Sequence, residues 1–125
     1  MTDDPGLALA HLTTHVLDTA RGVPAEGVAI EVHQLSGGER RRVATARTQA
    51  DGRTTLPLIS GTEGVPGVYE LTFHVGAYFR RAGFSLPEPP FLDEIVIRVG
   101  LADALRPYHV PLLVSPYGYS TYRGS

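Results

Sequence analysis

Tyr108-His109-Val110-Pro111-Leu112-Leu113-Val114-Ser115-Pro116-Tyr117-Gly118-Tyr119-Ser120-Thr121-Tyr122-Arg123-Gly124-Ser125 runs to the last residue of the sequence, and its alternation decides the fold. Val110, Leu112 and Val114 recur at every second position, so a strand here sends one apolar row inward and puts His109 on the opposite face. Pro111 has no backbone donor, which predicts an edge strand or a position left unpaired. The chain breaks at Ser115-Pro116 and restarts in tyrosine and threonine, residues that favour strands. An aromatic-rich run is unfavourable to leave in water, so the tail is expected to dock as an edge strand, its tyrosines covering a neighbouring sheet.

The same period recurs upstream. Residues 7–17 alternate, with Leu9, His11, Thr13 and His15 on one face and Leu12, Thr14 and Val16 on the other. Val28, Ile30 and Val32 alternate with Glu31 and His33, and Ser36-Gly37-Gly38-Glu39 signals a hairpin returning into a strand over 43–48. Asp51-Gly52 is a turn, with a short strand expected over 54–59 and a loop over 60–67. Tyr69, Leu71, Phe73 and Val75 form a further strand, residues 77–82 ending at Gly83 form one short helix, and residues 91–99 form a strand with Ile95, Ile97 and Val99 on one face. Asp18 to Gly22 and residues 23–27 are read as turns, and residues 85–90, with three prolines, as loop. Seven to eight short strands with turns between them predict an all-β antiparallel sandwich.

Length and composition agree. At 125 residues the chain is expected to form a single domain over 1–125 with a real core and no separate cofactor domain. A formal charge of −2 gives no general attraction to nucleic acid or to an anionic membrane. Arg40-Arg41-Arg42 is too short to reverse that and reads as a solvated hairpin tip. Cysteine is absent, which excludes disulfides and thiolate chemistry. No apolar run approaches the roughly 20 residues that span a bilayer. The acidic start Met1-Thr2-Asp3-Asp4-Pro5 lacks the pattern of a secretory signal, so a cytoplasmic location is expected.

The stretch from His109 to Ser125 resembles the carboxyl end of the 5-hydroxyisourate hydrolases, the transthyretin-related enzymes of urate breakdown, whose closing Tyr122-Arg123-Gly124-Ser125 separates them from hormone-carrying transthyretins. Leu12 to Gly22 is similar to that family's first-strand motif, and Thr48 to Arg53 to its third, although Gln49 stands where asparagine is expected. Pro107 replaces a second histidine found in many members. The resemblance implies a transthyretin-like fold and hydrolysis of 5-hydroxyisourate to 2-oxo-4-hydroxy-4-carboxy-5-ureidoimidazoline. It nominates His15, Arg53 and His109 as catalytic, and Tyr122, Arg123, Gly124 and Ser125 as substrate-binding. It also implies a homotetramer, a dimer of dimers, with sites between dimers.

These residue types suit the implied chemistry. Opening a cyclic amide with water needs a base, an acid and stabilisation of an oxyanion. Two histidines can divide the proton work near neutral pH, in either assignment, and a guanidinium binds adjacent oxygens in a geometry that lysine lacks. No G-x-S-x-G elbow accompanies them, so direct attack by water is expected. His11 and His15 share a face, but four residues at about 3.3 Å each separate them by roughly 13 Å, too far for one zinc ion. No metal or other cofactor is expected. His11, His33 and His74 read as surface histidines. The rival reading is a non-catalytic carrier of small aromatic molecules.

Overall fold

The computed structural model describes residues 11–60, 66–103 and 105–124. Their order is β1 His11–Asp18, β2 Val23–Pro24, β3 Ala29–Ser36, β4 Glu39–Arg47, β5 Gly67–His74, α1 Val75–Arg81, β6 Glu94–Leu101, β7 Pro107–Ser115 and β8 Gly118–Thr121. The strands form two four-stranded sheets, ordered β2-β1-β7-β8 and β4-β3-β5-β6, so the expected sandwich is present. Every pairing is antiparallel except that of β1 with β7, which run parallel. A parallel pair requires a long crossover, and the whole second sheet supplies it.

The alternating rows meet between the sheets. Leu12 and Val16 of β1 and Leu112 and Val114 of β7 are fully buried against Ile30, Leu71, Phe73 and Ile95 of the other sheet. The odd residues of β1, including Thr13 and His15, are left on the outer face. Residues 7–10, part of the expected first strand, lie outside the described residues, as do 61–65 of an expected loop and Ala104. Helix α1 buries Tyr78 and Phe79 and stops at Gly83, whose φ of +98° ends the turn.

Local expectations are corrected in several places. Residues 54–59 form no strand: they touch β1 only through a bridge between Leu12 and Ile59, with Leu58 and Ile59 buried and Leu56 exposed. Pro57 offers that segment no donor with which to extend a ladder. The two-residue strand β2 instead takes the edge beside β1. The arginine run lies within β4 rather than at a tip, and Arg40 reaches across to the nearly buried Glu70. His33 is buried, because a register shift after Val32 turns it out of strict alternation.

Asp18, read as loop, is the last residue of β1 and is fully buried. Its carboxylate accepts bonds from Arg21 Nε at 2.8 Å, the Arg21 backbone N–H at 3.0 Å and the Tyr78 hydroxyl at 2.7 Å. Burial alone would raise its pKa, but these donors outweigh that and hold it below the usual carboxylate range. The end of β1 is thereby tied to α1.

Pro111 lies in an interior strand, not at an edge. Its carbonyl accepts from Thr121 Oγ1, and it falls between the last β7–β8 pair, Leu112 with Thr121, and the bridge of His109 with Gly124. No ladder bond is called for at that position, so the unpaired alternative holds. The tail is docked through β8, but Tyr117, Tyr119 and Tyr122 are exposed rather than packed on a sheet, Tyr117 stacking on Phe91.

Candidate active site

The β1–β7 register sets the site. Thr13 lies opposite His109 and His15 opposite Pro111, so both histidines occupy the outer face of one sheet on adjacent strands. A 2.8 Å contact between Thr13 Oγ1 and His109 Nδ1 joins the two strands on that face.

The turn after residue 48 brings the third residue. Gly52 has φ +81°, and its carbonyl accepts from the Val16 N–H at 2.9 Å. A Cβ there would collide with the Val16 carbonyl and stand 3.1 Å from the His15 ring, so only glycine lets the turn press so close to β1. Asp51 then offers its carbonyl to His15 Nε2 at 2.8 Å, and its carboxylate takes the Arg53 N–H at 2.9 Å. A carbonyl only accepts, so the proton of His15 sits on Nε2. Arg53 leaves the turn exposed beside the histidines.

The tail closes the other side. The Gly124 N–H donates to the His109 carbonyl at 2.7 Å, and a Cβ on Gly124 would stand 2.6 Å from the His109 ring. Thr13, Arg53, Pro107, His109, Tyr122 and Gly124 line an open groove of about 430 Å³. That volume suits a small polar ring. The His109 pKa is lowered, first by burial, then by the positive fields of Arg53 and His15, while a hydrogen bond to the Thr13 backbone opposes them. A neutral imidazole able to accept a proton results.

The nominated residues divide between two places. Arg53, His109, Tyr122 and Gly124 meet at the groove, whereas His15 sits one pleat along β1 at the Asp51 carbonyl. The Arg123 guanidinium turns to the opposite face, 4.4 Å from the Tyr108 ring and bonded to the Pro107 carbonyl at 3.3 Å. Ser125 lies outside the described residues. Thr13 and the Asp51 carbonyl carry no role in the sequence reading. Thr13 shares the histidine face visibly, but its partner across a parallel pair has no local signal. Among the described residues, no group of three histidine, cysteine or carboxylate side chains is close enough to hold a metal ion, and no helix is long and apolar enough to cross a membrane.

The HIUase/Transthyretin family model matches residues 12–124. The chain belongs to that family. A 5-hydroxyisourate hydrolase 2 of Rhizobium meliloti (strain 1021) is 56% identical over 114 residues, covering 91% of this chain and 95% of the relative. Among family folds of known structure, an (S)-allantoin synthase superposes with a TM-score of 0.88 at 45% identity; the match covers 94% of this chain but only 44% of that one. A sea bream transthyretin in complex with thyroxine superposes at 0.81 with 30% identity, over 90% of this chain and 93% of that one. The similar proteins therefore include one named as a hydrolase and one solved in complex with thyroxine.

Proposed function

We propose that this chain hydrolyses 5-hydroxyisourate to 2-oxo-4-hydroxy-4-carboxy-5-ureidoimidazoline in urate catabolism. The observation that carries the reading is the neutral His109 beside Arg53 in one polar groove, in a chain 56% identical to a protein named for that activity. His109 takes a proton from water, and the oxygen attacks the carbonyl carbon of the cyclic amide. Arg53 binds the oxyanion as it forms. The carbon–nitrogen bond then breaks, and the imidazolium returns its proton to the departing nitrogen. His15, whose Nε2 proton is committed to Asp51, offers its Nδ1 lone pair to a substrate N–H. Tyr122 and Gly124 wall the groove, and Arg123 steadies the tail through Tyr108.

The reaction needs no metal in this reading: among the described residues no carboxylate side chain lines the groove, and His15 is held elsewhere by one ring nitrogen. The protein acts as one domain over 1–125 in the cytoplasm, where a chain without cysteine forgoes nothing by avoiding an oxidising compartment. A homotetramer with grooves facing each other between dimers would enclose a site that one subunit leaves open, and the exposed tyrosines along β8 fit a subunit contact.

A carrier of aromatic ligands is the rival, favoured by the transthyretin likeness. An ultraviolet assay that generates 5-hydroxyisourate from urate, run with chelator present, separates the two. Disappearance well above the spontaneous rate is expected; a tetramer of correct mass that leaves the spontaneous rate unchanged would hand the case to the carrier.

A further inference from the structure

We propose that Thr13 is a positioning residue, accepting the Nδ1 proton of His109 so that the ring presents an unprotonated Nε2 to the groove. The inference rests on the hydrolase reading above and deepens it.

A neutral imidazole carries one proton, and the nitrogen that holds it is chosen by the partner of the other. Unrestrained histidine favours the proton on Nε2, the wrong tautomer for a base that must accept through that atom. The correction here comes from the opposite strand. Thr13 and His109 face each other in the parallel ladder, and their side chains meet at 2.8 Å on the outer face. Threonine is stiff about χ1, so the strand backbone aims its hydroxyl. The Thr13 hydroxyl oxygen carries two lone pairs and stands within bonding distance of Nδ1, so it can accept the ring proton there. Gly124 leaves the ring little room to rotate away, since even a methyl group there would collide with it. The neighbouring His15 is restrained in the opposite sense, through Nε2. The two imidazoles therefore present different nitrogens, and only His109 offers Nε2 as a lone pair.

The test compares Thr13→Val, Thr13→Ser and the parent protein by 15N NMR of the imidazole nitrogens at pH 8, beside initial rates of 5-hydroxyisourate hydrolysis. The parent is expected to hold the His109 proton on Nδ1. Thr13→Val is expected to move it to Nε2 and lower kcat/KM by about tenfold or more. Thr13→Ser is expected to restore both. Thr13→Ala is measured alongside, so that a valine variant that fails to fold still leaves the comparison readable. A hydroxyl-free variant that keeps the parent tautomer, or the parent rate, overturns the proposal, as does a serine variant that fails to restore either. His109→Asn separates this from the reading beneath it: an inactive asparagine variant with Thr13→Val at full rate sinks the Thr13 proposal alone, whereas full activity without His109 sinks both.

Discussion

Both sheets carry histidines, and the two sheets give them different partners. On the β4-β3-β5-β6 sheet both histidines and two of the arginines meet carboxylates. His74 lies 3.2 Å from Glu31 and 3.7 Å from Glu94, and His33 lies 4.0 Å from Glu31. Arg40 and Arg98 converge on Glu70, whose pKa is depressed by the bond from Arg98 and then by that from Arg40. On the β2-β1-β7-β8 face the partners are uncharged: a threonine hydroxyl for His109 and a backbone carbonyl for His15. A carboxylate stabilises imidazolium, whereas a hydroxyl or carbonyl fixes the ring without deciding its charge. In the proposed reaction, what separates the histidines nominated for catalysis from the others is the charge of their partners, not their exposure.

Substitutions test that contrast, the largest effect first. His109→Asn is expected to lower kcat/KM by about a thousandfold with little change in thermal midpoint, whereas His74→Asn leaves turnover unchanged. Equal losses from the two would erase the distinction. Arg53→Gln is expected to lower kcat by about a hundredfold, as for a lost oxyanion donor; a change confined to KM would make Arg53 a binding group only.

The pH profile sharpens the same point. Because the folded His109 pKa is lowered, the base stays neutral below the ordinary histidine value of 6.5, so the acid limb of kcat/KM is expected at a midpoint under 6.5. His109 also costs the fold stability as pH falls from that ordinary value through its depressed one. Removing the positive charge of Arg53 should move the rate midpoint upward, measurable in the residual activity of the glutamine variant; a downward move would contradict the assigned field.

Two stability measurements complete the set. Asp18→Ala is expected to destabilise by about 3 kcal/mol in denaturant titration, since it strips a fully buried carboxylate from Arg21 and Tyr78. The Asp18 contribution is present above the ordinary carboxylate pKa and is lost as pH falls through its depressed folded value. Glu70→Gln should cost only about 1 kcal/mol, because solvent screens the half-exposed Arg40 and the more exposed Arg98. A larger loss at Glu70 than at Asp18 would reverse the ranking of the two networks.

Much of this was legible in the residues. Strict alternation in β1, β5, β6 and β7 marks which side chains enter the core, because a period of two is local and survives without knowledge of the partner strand. The parallel pairing of β1 with β7 is not local: Thr13 and His109 are separated by 96 positions, and neither carries a sign of the other. Asp18 misled because an aspartate before Thr-Ala-Arg-Gly reads as a turn, and its burial depends on a tyrosine 60 residues on. His33 misled because a bulge breaks the alternation on which its exposure was judged. The roles proposed for His15, Arg53 and His109 came from resemblance; spacing alone offered three polar residues on separate segments.

The tight turn at Gly52 holds Arg53 through the chain and His15 through the Asp51 carbonyl, while its own carbonyl is pinned to β1. Inserting or deleting a single residue there would displace both nominated side chains at once, so the length of this segment is constrained as tightly as the glycine at its centre.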